Sequence, residues 1–232
     1  MLKINNQLYT IASIFFFLCC CCLIFDSSEA LYIVKGGMEL AFFMAYLIIV
    51  REKVEWILVL FWLFFIIPRF IAFFYEDAYY GILTTVLRIL AYIMLVFYVY
   101  PKQKGLKSKR LDNVVYMLIL AVNIYGIYGV LDVINPFLDS NNMLLAYILY
   151  GASLVLLGVF SFRYFLLQDL RSKYFLGFVA FMTCSEVFAI ITHYLNFVGT
   201  SYFRSFFYAY GLCLGVIAFV LKNKKEAVLD LD

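Results

Sequence analysis

The residues in this sequence most able to do chemistry are charged side chains set inside long apolar runs. Lys35, Arg69 and Arg88 are cations; Glu39, Asp132 and Glu186 are acids. An ionised group at mid-bilayer costs at least about 2.5–3.5 kcal/mol on insertion scales, so such groups face protein partners or water. Equal numbers of each sign therefore point to one shared polar pocket. Lys35 and Glu39 are four residues apart, on one face of a helix and able to pair. Ser185 stands next to Glu186, and His193 follows Glu186 by two helical turns on the same face. As an acid–base pair, Glu186 and His193 would be about 10 Å apart and would need a substrate or water between them. A lone histidine near the end of a span also fits an interfacial position.

The composition sets what must position these groups. Of 232 residues, 66% are hydrophobic and 14% charged, with a mean hydropathy of +0.97. A soluble domain is about 45–50% apolar and about 25% charged. The difference excludes a soluble globule, a disordered chain, a coiled coil, a disulfide scaffold and a nucleic-acid binder. Eight segments approach the roughly 20 apolar residues that cross a bilayer. They are Leu8–Phe25, Ala30–Val50, Val54–Phe74, Ala78–Tyr100, Val114–Ile134, Asn142–Phe162, Tyr174–Leu195 and Phe203–Leu221. The connections are too short for a second domain, so the expectation is an all-α, polytopic membrane bundle of eight transmembrane helices over residues 1–232.

The connections alternate in charge. Of eighteen Lys and Arg residues, all but Arg204 and the three intramembrane cations fall on one set: at Lys3, Arg51–Lys53, Lys102–Arg110, Arg163–Lys173 and Lys222–Lys225. The opposite set carries Asp26, Glu29, Glu76, Asp77 and Asp139. The positive-inside bias makes the basic set cytoplasmic and places both termini inside. The first span also has features of a signal peptide, with Lys3 before an apolar core and Ser28-Glu29-Ala30 as a small-x-small site. We expect it to be retained. Its Cys19–Cys22 run reads as small hydrophobes.

Depth places the six charges. At about 1.5 Å per residue, Arg69 lies roughly 22 Å along the third span and Glu186 about 18 Å along the seventh. Arg88 is near the middle of the fourth, and Asp132 and His193 are within about a turn of the external ends of theirs. All fall at mid-depth or in the outer half, which predicts a pocket facing the extracytoplasmic leaflet; structural ion pairs are the plainer alternative. Pro68 should kink the third span, and Gly211 and Gly215 permit close helix packing. No phosphate loop, dinucleotide fingerprint, nucleophile elbow or zinc-protease motif is present, no cofactor is expected, and the cysteine and histidine spacing predicts no metal site.

The run Gly177 to Ile190, with Ser185-Glu186 and Ala189, resembles the signature of the YhhN-type lysoplasmalogenases, where a glycine-led apolar stretch leads into Ser-Asp. Tyr32 to Gly36 is similar to that family's Lys-Pro opening of the second span, and Tyr80-Gly81 through Tyr92 to its fourth-span segment. The resemblance implies an eight-span enzyme that cleaves the vinyl ether bond of lysoplasmalogens with two carboxylates; if this chain is such an enzyme, Glu186 would be the catalytic acid or base and Lys35 and Arg88 would hold the phosphate. The chain departs from the pattern where it matters. The family's first carboxylate falls at Arg69, its second is Glu186 rather than aspartate, and its fourth-span histidine falls at Ile89. A guanidinium stays protonated in proteins and can neither donate nor accept the catalytic proton. An Arg–Glu site suits an ion pair better than acid–base cleavage.

Three functions follow: a divergent hydrolase of an ether lipid or lysophospholipid, a non-catalytic descendant that binds an amphipathic ligand or partner, and a transporter. The last is disfavoured by the absence of an inverted repeat or paired broken helices. The expectation is a lysoplasmalogenase-like bundle with weakened or lost hydrolysis, in contact with membrane lipid and no nucleic acid. The Ile-, Phe-, Asn- and Lys-rich wording points to an AT-rich bacterial genome and the inner membrane.

Overall fold

In a computed structural model, residues 2–51, 54–74, 78–103, 110–134, 141–195, 197 and 199–221 are described. They form helices α1 (Leu2–Ile24), α2 (Ser28–Val50), α3 (Trp56–Phe74), α4 (Ala78–Val99), α5 (Arg110–Ile134), α6 (Asn141–Phe165), α7 (Leu170–Leu195) and α8 (Gly199–Val220). One short 3₁₀ turn, Pro101–Gln103, follows α4, and no strand occurs among the described residues. Each apolar run of the sequence coincides with one helix. Within a run the backbone amides can pair only with one another, and a helix satisfies them all inside the segment. α1, α2, α4, α6, α7 and α8 are long and apolar enough to cross a membrane, and Trp56–Ile71 of α3 is a shorter apolar stretch. The chain is an all-helical protein of multi-pass membrane character.

Polar residues set the helix ends. Ser27 caps α2, its hydroxyl accepting from the Ala30 amide at 3.4 Å. Asp169 caps α7, with Oδ1 accepting from the Ser172 amide at 2.7 Å. Both satisfy donors that a helix N-terminus leaves open. Asp26 and Gln168, at φ 51° and 55°, turn the chain just before each cap. α3 continues through Pro68 to Phe74.

The chain divides into two compact units, Met1–Val54 with Phe165–Asp232, and Glu55–Tyr164. In the first, α8 is central and packs on α7, α1 and α2. Among the helices of membrane-crossing length α8 is the most buried and α1 the least. The α7–α8 seam depends on glycine. A Cβ on Gly215 would stand 2.9 Å from the Phe178 ring, and one on Gly211 would stand 3.0 Å from Met182 Sδ. The Gly211–Gly215 spacing thus serves the close packing predicted from the sequence.

In the second unit α3 packs on α4, and Phe61, Trp62 and Phe65 of α3 and Tyr92 and Leu95 of α4 are buried. Lys102 reaches Glu55 at 3.5 Å and lies over the Tyr98 ring at 3.3 Å, so the start of α3 and the end of α4 meet. α6 joins α4 through Tyr92 and Tyr150, whose hydroxyls are 3.3 Å apart, and joins the turn after α4 through Gln103 Nε2 donating to the Phe160 carbonyl at 2.7 Å.

A buried polar cluster in the first unit

The buried face of α2 carries Lys35, Met38, Glu39, Phe42 and Tyr46, which recur at three- and four-residue intervals as one helical stripe. Lys35 is 4% exposed and Glu39 is fully buried. Facing them, α8 presents Ser205 and Tyr208, three residues apart and on one face. The Tyr208 hydroxyl donates to Glu39 Oε1. Ser205 is fully buried, and its hydroxyl makes no hydrogen bond of ordinary geometry among the described residues. From α1, the buried thiol of Cys19 sits beside Ser205 and within electrostatic reach of Lys35. Three helices therefore bring an amine, a carboxyl, a phenol, a hydroxyl and a thiol into the core of a strongly apolar unit.

Burying such groups costs free energy unless they are hydrogen-bonded or paired. Oε1 of Glu39 has Tyr208. By type, an amine and a hydroxyl such as Lys35 and Ser205 are donors suited to phosphate or carboxylate oxygens, and a carboxyl such as Glu39 is suited to an amine or hydroxyl. Among the described residues the cluster contains one carboxyl and no second one.

The other sequence-predicted residues fall elsewhere. Ser185 is buried on α7, and its hydroxyl donates to the Arg204 carbonyl of α8 at 3.2 Å. It thus ties two helices together. Glu186 is half-buried, one residue on and so on a different side of α7. The His193 side chain lies outside the described residues. Arg69, Arg88 and Asp132 belong to the second unit. Arg69 is 9% exposed on α3, one turn beyond Phe65. Arg88 is half-buried on α4, its guanidinium 5.1 Å from the centre of the Phe65 ring, within the range of a cation–π contact. Asp132 is exposed near the end of α5. The predicted partners Arg69 and Glu186 thus lie in different units, whereas Lys35 and Glu39 share one buried face.

Tyr208, Ser205 and Cys19 are the members that sequence reasoning missed. Ser201, Ser205 and Tyr208, at i, i+4 and i+7 in an otherwise apolar helix, form a polar stripe that could have revealed two of them. Among the described residues no group of His, Cys, Asp and Glu could hold a metal ion. No protein-family model, no curated protein and no solved structure matches this chain.

Proposed function

We propose that this chain is an eight-span membrane protein of lysoplasmalogenase-like plan, with both termini cytoplasmic, which binds the polar head of an amphipathic lipid. In this reading its hydrolysis of the lysoplasmalogen vinyl ether bond is weakened or lost. The observation that carries the binding half is the Lys35–Glu39–Tyr208–Ser205 cluster. Polar groups of opposite character are held at the core of an apolar helical unit, where burying them costs free energy that a bound polar head would help to offset. The ordered resemblance of the Lys35, Tyr80–Tyr92 and Ser185-Glu186 segments supports the lipid class. The loss of catalysis rests on Arg69, which stands where that resemblance calls for a carboxylate and cannot do a carboxylate's work.

Purified protein tests both halves. With a lysoplasmalogen, little or no aldehyde should be released, and any release should vanish in Glu186→Gln. A lysophospholipid or ether lipid should bind and should lose affinity in Lys35→Gln. Vigorous turnover would overturn the loss of catalysis. Binding unchanged by Lys35→Gln would overturn the assignment of the cluster. Substrate flux into liposomes would favour a transporter instead.

A further inference from the structure

Between α5 and α6 in the second unit lies a slot of about 460 Å³ with an almost wholly apolar lining, a volume within the range of ligand sites. The two helices close on each other at Ile127 and Gly151, where a Cβ on Gly151 would stand 3.0 Å from Ile127 Cδ1. At the far end Tyr116 meets Phe162 edge to face, with ring centroids 5.4 Å apart. Between these contacts the walls stand apart, and Ala152 and Val155 form part of the lining. Met117 and Leu156, also lining residues, are exposed, so the slot opens to the side, where a membrane would place hydrocarbon.

Length and charge single out an occupant. The slot extends along α5 from Tyr116 to Ile127, a rise of about 16 Å. One leaflet of a hydrocarbon core of about 30 Å is about 15 Å deep, so the slot matches the depth of a single lipid chain. On α6, Arg163 follows the lining residue Val159 by four residues. It therefore stands on the same face one turn beyond the slot, exposed in the last turn of the helix. In the sequence Lys107 and Lys109 precede α5, and Arg110 is its first residue.

We propose that this slot binds one acyl chain of an anionic phospholipid, with the headgroup phosphate meeting Arg163. A zwitterionic lipid brings its own cation and gains less at this end. The proposal rests on the reading of α5 as a span, but not on the cluster around Lys35.

The test uses the full chain in nanodiscs of phosphatidylcholine with a minority of phosphatidylglycerol, followed by native mass spectrometry. Wild type should retain one phosphatidylglycerol. Ala152→Trp, which fills the slot from an exposed position, should reduce that retention roughly tenfold. Leu145→Trp, exposed outside the slot, should leave it intact. Arg163→Gln should still retain a lipid but lose about fivefold in preference for phosphatidylglycerol. Wild-type retention in Ala152→Trp, equal loss in Leu145→Trp, or an unchanged preference in Arg163→Gln would each overturn the proposal. Reporter fusions on either side of α5 test the span separately, so a missing span and an empty slot give different results.

Discussion

Tyr208 of α8 donates its hydroxyl to Glu39 of α2, joining two helices at the most deeply buried carboxyl among the described residues. Removing the phenol oxygen leaves that carboxyl short of a donor where water cannot replace it. Tyr208→Phe should therefore destabilise the protein by about 1–3 kcal/mol, measured as a lower melting temperature in detergent. Glu39→Leu removes the group that needs the donor. The double variant Glu39→Leu/Tyr208→Phe should lose less than the sum of the two single changes, and additive losses would show that the contact carries no coupling.

The same pair shows how much of this protein was legible in its sequence. The helices were, because in lipid-like surroundings an apolar run bounded by charges has almost no alternative to a helix. The structural boundaries differ by a few residues where polar groups extend or cap a turn. α7 starts at Leu170 rather than Tyr174 because Asp169 caps it. Lys35 and Glu39 were also legible, since a charge inside an apolar run is conspicuous and their spacing fixes a common face. Tyr208 was not. It is one of twenty tyrosines, and although the Ser201–Ser205–Tyr208 stripe marks its face of α8, only the packing of α8 on α2 supplies its partner. Arg171 was misleading for a related reason. By position it belongs to a basic connection, yet it is 4% exposed and its Nε donates to the Ala218 carbonyl at 3.2 Å.

That contact makes its own prediction. Ala218 lies in the last turn of α8, where carbonyls lack helical partners and favour a cation. Arg171→Met keeps much of the stem but removes the donor. It should cost about 1–3 kcal/mol, and hydrogen exchange should quicken first in the last turn of α8. Exchange that quickens uniformly instead would mean that Arg171 does not cap this helix.

The glycines separate close packing from simple helix propensity. Gly215→Ala should destabilise by about 1–3 kcal/mol, because the added methyl meets the Phe178 ring in a filled seam. Gly126 of α5 has nothing within 4 Å of its Cβ position. There the same change should be neutral, or stabilising by up to about 1 kcal/mol through helix propensity. Thermal unfolding of the two variants in one detergent provides the comparison. Similar effects in both would contradict tight packing between α7 and α8.

The reading of eight spans makes the most exposed prediction of membrane topology, because α5 decides the parity. Without α5 the two ends of the chain would fall on opposite sides of the membrane. The contact between Lys102 and Glu55 brings the start of α3 and the end of α4 together, and the basic residues from Lys102 to Arg110 favour the cytoplasmic side for that end. Asp139, in the connection after α5, lies in an acidic and Lys-free stretch. Alkaline phosphatase, which is active only outside the cytoplasm, should therefore be silent when fused at Lys107, active at Asp139 and silent again at Gln168. It should also be silent after Lys225. Equal activity at Lys107 and Asp139 would remove α5 from the spans, and the slot between α5 and α6 would no longer face hydrocarbon along its length.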